Sequence, residues 1–192
     1  MSSPSGVVRV IGIAGSLRAG SFNRALLRAA TELAPEGMEI RTFDIAPIPL
    51  YNGDVEEKGD PEPVTALKAA IREANALLVA TPEYNYGVPG VLKNAIDWAS
   101  RPPDKTPLRG KPAAIMGATI GAHGTVRAQL QLRQAFLFTG THALLSPEVL
   151  VTRAQEKFDN EGRLTDEATR AYVRKLLEAL RDWTRRLRAD VA

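Results

Sequence analysis

The feature that most constrains this chain is a regular alternation of short apolar runs with longer segments of helical periodicity. Five apolar runs are predicted to be strands, at residues 7–14, 38–45, 76–81, 112–118 and 142–151. Five helices are predicted between or after them, at residues 24–34, 64–74, 90–100, 126–138 and 165–189. Strands that alternate with helices form a parallel sheet with helices on both faces, so the predicted fold class is α/β.

The number of strands indicates how the sheet is built. Five strands fit the doubly wound, flavodoxin-like order 2-1-3-4-5, a three-layer sandwich whose switch point lies between the first and third strands. Sheets of this kind bind ligands at the carboxyl ends of the strands, beside that point. We predict a single domain over residues 1–192, because this length suffices for one sizeable core. Residues 1–6 are expected to be disordered.

Composition excludes several classes of protein. The chain has no cysteine, which rules out disulfides and thiol catalysis and favours a reducing compartment. No apolar run has the length of a membrane span, and the N-terminus lacks the apolar core of a signal peptide. We therefore expect a cytoplasmic protein with no membrane partner. The net charge of +3 lies largely in the last helix among acidic residues, which indicates a solvated surface and no nucleic-acid partner.

Polar donors follow the first strand, where the chain turns into a helix. The loop reads Gly-Ser-Leu-Arg-Ala-Gly-Ser-Phe-Asn over residues 15–23. A loop of this kind points main-chain N–H groups and the helix dipole at an anion. Ser16, Ser21 and Asn23 add side-chain donors, and Arg18 adds a planar cation suited to phosphate. Capping of the helix by Ser21 or Asn23 is the alternative role, but four such donors together favour a phosphate site.

The spacing of this loop excludes two common phosphate motifs. Glycines at positions 12, 15 and 20 do not fit the dinucleotide fingerprint G-x-G-x-x-G. Gly15 and Gly20 have the glycine spacing of a P-loop, but Ser21 stands where the lysine is required. The loop therefore predicts a terminal monophosphate that is held rather than transferred.

The loop after the third strand is suited to a flat ring. It reads Thr-Pro-Glu-Tyr-Asn-Tyr-Gly-Val-Pro-Gly over residues 81–90, just before a helix. Its prolines and glycines determine the backbone path, and Tyr84 and Tyr86 offer flat faces with polar tips. The predicted topology puts this loop beside the first one, at the switch point. Together the two loops predict a flat, polar-edged ring that carries a phosphate.

The loop over residues 119–125 leaves the fourth strand and opens on the same edge. Two glycines in it allow close approach of the backbone to a ligand. His123 is a candidate proton donor in this loop, although an exposed loop histidine more often has no role. His123 and His142 lack the spacing of a metal-binding pair, and we predict no metal site.

These motifs resemble the NAD(P)H-dependent FMN reductase family, whose members include quinone, chromate and azo-dye reductases. The resemblance rests on the loops over 15–23 and 81–90 and on Leu-Lys-Asn-Ala-Ile-Asp-Trp over 92–98, and it extends to the last helix. It implies FMN as cofactor and NAD(P)H as co-substrate. The implied reaction passes hydride to the flavin and on to a small-molecule acceptor, with donor and acceptor using one place in turn by a ping-pong mechanism.

The resemblance also implies which residues contact the flavin. The expected contacts from the phosphate loop are Ser16, Leu17, Arg18, Ser21, Phe22 and Asn23. The expected contacts with the ring, made partly by main-chain groups, are Pro82, Glu83, Tyr84, Asn85, Tyr86, Gly87, Ala118 and Thr119. We assign no catalytic acid or base, because the flavin supplies the chemistry. Glu83 as a general acid or base is the less favoured alternative.

Sequence reasoning leaves several alternatives open. One alternative is a flavodoxin-like electron carrier, which would bind FMN without NAD(P)H. Another is a Rossmann dehydrogenase, in which Asp44 would bind the ribose, but this chain lacks the glycine fingerprint of that class. Trp98 fits either the core or a partner contact, since the family commonly forms homodimers or homotetramers. Arg18 and Arg101 contact FMN, NAD(P)H or neither. NADH and NADPH are not distinguished.

Overall fold

The computed structural model of the protein describes residues 6–189. The expectation of disorder over residues 1–6 therefore falls, except for Gly6, outside the described residues. The strands are β1 Val8–Ala14, β2 Met38–Phe43, β3 Ala76–Ala80, β4 Pro112–Ala118, β5 His142–Ala143 and β6 Val149–Val151. The α-helices are α1 Phe22–Glu32, α2 Gly53–Glu56, α3 Glu62–Glu73, α4 Gly90–Ala99, α5 Val126–Thr139 and α6 Glu167–Ala189. None of the helices in this range combines the length and apolar character needed to cross a bilayer.

All strands belong to one parallel sheet, and its order confirms the flavodoxin-like α/β prediction. The order is β2-β1-β3-β4-β5, and β6 also pairs with β4. Val10 of β1 pairs with Ile40 of β2 on one side and with Ala76 of β3 on the other. The order of strands reverses between β1 and β3. The loops that leave these two strands therefore meet at the switch point, where sheets of this kind bind ligands.

The fifth predicted strand, over residues 142–151, is wrong as one continuous element. Its two ends form β5, beside Pro112–Ala113, and β6, beside Met116–Ala118. The residues between them leave the ladder, and Pro147 in this stretch has no main-chain N–H to donate to a neighbouring strand. The apolar residues at both ends gave the segment the pattern of a single strand.

Two local caps account for differences from the sequence prediction. Helix α1 begins two residues early, since the Ser21 hydroxyl accepts hydrogen bonds from the N–H groups of Asn23 at 3.2 Å and Arg24 at 3.4 Å. The stretch over 46–63, predicted as a surface loop, contains the short helix α2. The Asn52 side chain caps that helix by accepting a hydrogen bond from the N–H of Asp54 at 2.9 Å.

Two apolar layers cover the faces of the sheet. Strands β3 and β4 are buried along their whole length, as expected for central strands of a parallel sheet. One layer packs α1 and α6 against the sheet through residues such as Leu26, Leu78 and Leu177. The other packs α3, α4 and α5 through residues such as Leu77 and Phe136. The carboxyl edge of the sheet lies between these layers and carries the loops of interest.

Candidate functional site

Three loops meet at the carboxyl edge of the sheet. They cover residues 15–21, 81–89 and 119–125, which follow β1, β3 and β4. The hydroxyl of Ser16 lies 3.1 Å from the hydroxyl of Tyr84, so a hydrogen bond joins the first loop to the second. The two motifs that the sequence singled out are therefore in contact.

Gly15 allows the first two loops to approach closely. Its N–H donates to the carbonyl of Ala80 at 2.9 Å, which extends the pairing of β1 with β3. A Cβ at Gly15 would lie 2.9 Å from a methyl carbon of Leu92 and 3.2 Å from the ring of Pro82. Glycine is needed here because a side chain would push the loops apart.

The first loop presents main-chain N–H groups that no protein acceptor uses. Those of Leu17, Ala19, Gly20 and Phe22 make no hydrogen bond to any acceptor within residues 6–189. The Ser21 hydroxyl accepts two bonds from the helix and keeps its own hydrogen to donate. Free N–H groups at the positive end of a helix form an anion site. This geometry suits a phosphate group.

The side chains of the first loop differ in their exposure and in their protein contacts. Leu17 and Arg18 are exposed, and the Arg18 guanidinium folds back to donate to the carbonyl of Gly20 at 2.8 Å. Phe22 packs on Phe158 with ring centroids 5.4 Å apart. Phe22 therefore offers its main-chain N–H rather than its ring.

Asn23 has a structural role that its position in the sequence did not reveal. Its side-chain nitrogen donates to the carbonyl of Ala118 at 2.8 Å, and its side-chain oxygen accepts from the N–H of Ala118 at 2.9 Å. Both groups are buried. The pair of bonds ties the first turn of α1 to the end of β4, so Asn23 positions the helix whose N-terminus forms the anion site.

The second loop contains a tight two-residue turn. Tyr84 and Gly87 exchange main-chain hydrogen bonds of 3.1 and 3.0 Å. Between them, Asn85 and Tyr86 have φ angles of 50° and 64°, the left-handed conformation of a type I′ hairpin turn. Such angles cost about 1 kcal/mol or more at a residue other than glycine, and they occur often at functional sites. The turn projects Tyr84 and Tyr86, which are 51% and 73% exposed.

Glu83 caps a helix in this structure. Its carboxylate accepts hydrogen bonds from the N–H groups of Arg127 at 2.8 Å and Ala128 at 3.2 Å, at the start of α5. Thr125, the residue before that helix, has φ 67° and makes no side-chain cap. Burial raises the pKa of the Glu83 carboxyl, but hydrogen bonds from Arg127 and Ala128 outweigh it and hold the pKa below its ordinary value. The carboxyl is ionised and fully engaged, which argues against a role as general acid or base.

Arg127 belongs to the site, although nothing in the sequence pointed to it. Its guanidinium lies 4.0 Å from the centre of the Tyr86 ring and 2.9 Å from the carboxylate of Glu83. Gln131, one turn further along α5, accepts a hydrogen bond from the N–H of Val88 at 2.6 Å. Arg127 and Glu83, like Gln131 and Val88, are more than forty residues apart in the chain, so no local sequence pattern could predict these contacts.

At the third loop, strand β4 passes close to the start of α5. Gly117 has no space for a side chain, because its Cβ would overlap the Thr125 hydroxyl and lie 2.5 Å from the carbonyl of Thr81. Thr119 is partly exposed, and its N–H donates to the carbonyl of Val151 at 2.9 Å. The third loop is thus packed tightly where it begins.

The two histidines lie apart from this packed region. His123 is exposed in the third loop, and His142 is exposed at the start of β5. Within residues 6–189, no three His, Asp or Glu side chains are grouped so that they could hold a metal ion.

Comparison of the sequence with models of known protein families identifies the family of this chain. The family model described as NADPH-dependent FMN reductase matches residues 8–156. The chain belongs to that family. Membership confirms the resemblance, the oxidoreductase class and the dependence on FMN and NAD(P)H, and it decides against the electron-carrier and Rossmann dehydrogenase alternatives.

Similar proteins cover nearly the whole chain. An NAD(P)H-dependent FMN reductase of Pseudomonas aeruginosa is 54% identical over 181 residues, which cover 94% of this chain and 97% of the relative. A quinone reductase of Escherichia coli K12 is 41% identical over 184 residues, which cover 94% and 97%. The solved structure of a flavoenzyme NAD(P)H:(acceptor) oxidoreductase from Paracoccus denitrificans has a TM-score of 0.86 and 37% identity, and it covers 94% and 98%.

The residues present in the FMN reductase site fit its cofactor. The free N–H groups of the first loop and the Ser21 hydroxyl match a terminal phosphate. The rigid turn over residues 84–87 and the close contact at Gly15 leave main-chain groups and flat side chains at the edge where a ring would lie. The individual contacts expected with the flavin remain predictions.

The structure gives protein partners to Trp98 and Arg101, whose roles the sequence left open. Trp98 is fully buried and donates its ring N–H to the carbonyl of Pro49 at 2.9 Å, so it belongs to the core of the chain and not to a partner contact. Arg101 pairs with the carboxylate of Glu56 at 3.2 Å, which also accepts a hydrogen bond from Tyr51 at 2.7 Å. Arg101 therefore serves to hold the segment around α2 against α4.

Replacing Glu83 with glutamine should lower the free energy of unfolding by about 1–3 kcal/mol at pH 7, because the charge that bonds to Arg127 and Ala128 is lost. The folded pKa lies below the ordinary value of 4.5, so this contribution is complete above that value and is lost as the pH falls through the folded pKa. Urea unfolding of both proteins from about pH 7 to about pH 3, a range that spans the carboxyl titration, measures the effect.

The matched control for this experiment is Glu178→Gln, at an exposed position of α6. It should leave the free energy of unfolding nearly unchanged. A difference between wild type and Glu83→Gln that stays constant as the pH falls would contradict the capping role.

Proposed function

We propose that this FMN reductase reduces quinones with electrons from NAD(P)H, and that donor and acceptor occupy one open place in turn. The observation that carries the proposal is the exposed turn over residues 84–87 beside the anion site of the first loop. Relatives named quinone reductase, such as that of Escherichia coli K12, support this class of acceptor. Free flavins, azo compounds and chromate are further proposed acceptors.

Each part of the site has a separate task in this proposal. FMN, when bound, accepts hydride from the nicotinamide and returns electrons to the acceptor. The first loop holds the phosphate, while main-chain groups of the second loop fix the polar edge of the ring. The guanidinium of Arg127 lies over the Tyr86 ring and pairs with Glu83, and its remaining N–H groups are proposed to contact the phosphates of NAD(P)H. None of these residues has to exchange a proton with a substrate.

Steady-state kinetics test whether NAD(P)H and the quinone bind in turn at the same place. Double-reciprocal plots against NAD(P)H, at several quinone concentrations, should give parallel lines, because the oxidised nicotinamide leaves before the quinone enters. A high quinone concentration should inhibit competitively with NAD(P)H. Intersecting lines would mean that both substrates bind together, which would overturn the proposal of one place.

The same assay tests whether a protein residue supplies a proton. Changing His123 to glutamine should lower kcat much less than the roughly 10²–10⁴-fold that follows the loss of a general acid. His123 is exposed, so the variant should fold as the wild type does. A collapse of kcat would identify His123 as a proton donor.

The enzyme is further proposed to form homodimers or homotetramers through the outer face of α5. Leu130, Leu137 and Phe138 on this helix are 54%, 84% and 86% exposed. Residues spaced by seven and eight positions lie on one face of a helix. A group of large apolar side chains that is exposed in this way indicates an association surface. The proposed occupant is a second copy of the chain.

The double substitution Leu137→Glu and Phe138→Glu should convert the oligomer to monomer, because it puts charges into an apolar interface. Light scattering coupled to gel filtration measures the mass. Tyr172→Glu, at an exposed position of α6, is the control and should keep the mass of the wild type. A wild-type protein that is monomeric at micromolar concentration would refute the proposal.

The proposed compartment is the cytoplasm, in keeping with a reductase that lacks cysteine.

A further inference from the structure

A cavity lies at the amino ends of β3 and β4, on the side of the sheet opposite to the candidate site at the carboxyl edge. Its volume is about 460 Å³. The end of α3, the turn before β4 and the last part of α6 form its walls. The seven residues of β4 separate it from the FMN site by roughly 20 Å, at about 3.3 Å per residue. We call it the basic cavity because of the side chains that line it.

The lining of the basic cavity is strongly positive. Four of its nine lining residues are cations, namely Arg72, Arg109, Lys111 and Arg188, and none of the nine is acidic. Within the described part of the chain, none of these four cations forms a salt bridge with a carboxylate. The neighbouring Glu73 lines a different groove, on the side of β2. The cavity therefore concentrates positive charge that the protein does not neutralise with ion pairs.

Lys111 indicates that this charge is not simply solvated. It is partly buried, and its amine donates to the carbonyl of Ala74 at 2.6 Å. Burial, and then the charge of Arg188, lower the pKa of Lys111. Such a lysine is held close to another cation in a site where water screens the repulsion less than at an open surface. An anion in the cavity would remove this repulsion.

Helix C-termini account for part of the cluster. Arg72 and Arg188 lie in the last turns of α3 and α6, where cations are favourable. Lys111, from the turn before β4, also meets a helix end, because its amine donates to the carbonyl of Ala74 after α3. Arg109, from the same turn, donates to the carbonyl of Pro103 at 3.1 Å. The convergence of cations from three separate segments is the arrangement by which proteins bind phosphate groups.

We propose that the basic cavity binds a phosphate-bearing anion. Three guanidinium groups and a lysine amine supply hydrogen-bond donors for its oxygens. The cavity also has room for a group attached to the phosphate, so a nucleotide and free phosphate are the two sources of this chemistry. The site is independent of the FMN phosphate, which lies at the other edge of the sheet.

Isothermal titration of the FMN-saturated holoenzyme tests the proposal, because saturation removes the flavin phosphate site from the measurement. Inorganic phosphate, pyrophosphate and AMP are titrated separately at constant ionic strength set with chloride. One molecule should bind per chain. Arg109→Gln and Lys111→Met should each weaken binding about 10-fold or more, since each removes a charged hydrogen-bond donor.

The matched control is Arg174→Gln, which removes an exposed cation of α6 outside the cavity. It should bind the anion as the wild type does. Lys111 is partly buried, so Lys111→Met could fail to fold; Arg109 is exposed, so Arg109→Gln still tests the cavity in that case. Tighter binding of AMP than of phosphate would identify a nucleotide as the ligand, and equal binding would identify the phosphate group alone. Absence of binding, or equal weakening by Arg174→Gln, would overturn the proposal.

Discussion

FMN is expected to bind this protein at least about 100-fold more tightly than riboflavin. The two flavins differ only in the terminal phosphate, which four free N–H groups and the Ser21 hydroxyl of the first loop are placed to receive. Hydrogen bonds to a charged group contribute about 1.5–3 kcal/mol each, so even two of them give this ratio. Titration of the apoprotein by flavin fluorescence quenching measures both dissociation constants.

The variant that tests the origin of this ratio is Ser21→Ala. It should weaken FMN by about 10-fold or more and riboflavin far less, because the lost cap of α1 affects both flavins and only FMN has a phosphate to accept from the hydroxyl. Thr31→Ala, at the other end of the same helix, removes a hydroxyl that bonds to Leu27 and should leave both affinities unchanged. Equal weakening of the two flavins by Ser21→Ala would locate the phosphate elsewhere. Asn23 is unsuitable for this test, because its loss would also release α1 from Ala118.

Gly117→Ala is expected to destabilise the protein by about 3 kcal/mol and to reduce its retention of FMN. The new Cβ would overlap the Thr125 hydroxyl and lie 2.5 Å from the carbonyl of Thr81, so the start of α5 or the end of β3 has to move. Overpacking of a well-filled site typically costs about 1–3 kcal/mol, and here one of the neighbours is main chain. Thermal unfolding and the flavin content after gel filtration measure the two effects.

Gly121→Ala provides the control in the same loop. A Cβ at Gly121 would meet nothing closer than the Thr119 hydroxyl at 3.7 Å, which is an ordinary contact. This variant should therefore unfold within about 1 kcal/mol of the wild type. If Gly117→Ala is equally harmless, the contact between β4 and α5 is looser than the structure indicates.

The topology was predictable from the sequence because it depends on local periodicity. Each strand of a parallel sheet that is buried on both faces has a continuous apolar run, and each helix between strands has its own period. The position of the site followed from the topology alone, since the loops after the first and third strands must meet at the switch point. The identity of the cofactor needed the resemblance to a family as well.

Contacts between distant segments were not predictable in the same way. Asn23 and Ala118 are 95 residues apart, and nothing near either residue indicates that they pair. Glu83 looked like a loop carboxylate, and only the structure revealed that it caps α5. The break between β5 and β6 was hidden because apolar residues lie on both sides of it, at 143–145 and 149–151.

The side-chain bonds between the loops have a consequence for how cofactor binding and unfolding are related. Ser16 with Tyr84, Asn23 with Ala118, and Glu83 with Arg127 connect segments that follow three different strands. These bonds are made within the protein chain, so each loop is tied to the strand end that supports it. The entrance to the site therefore melts together with the sheet that supports it. Loss of the flavin on heating should coincide with the single cooperative unfolding of the chain.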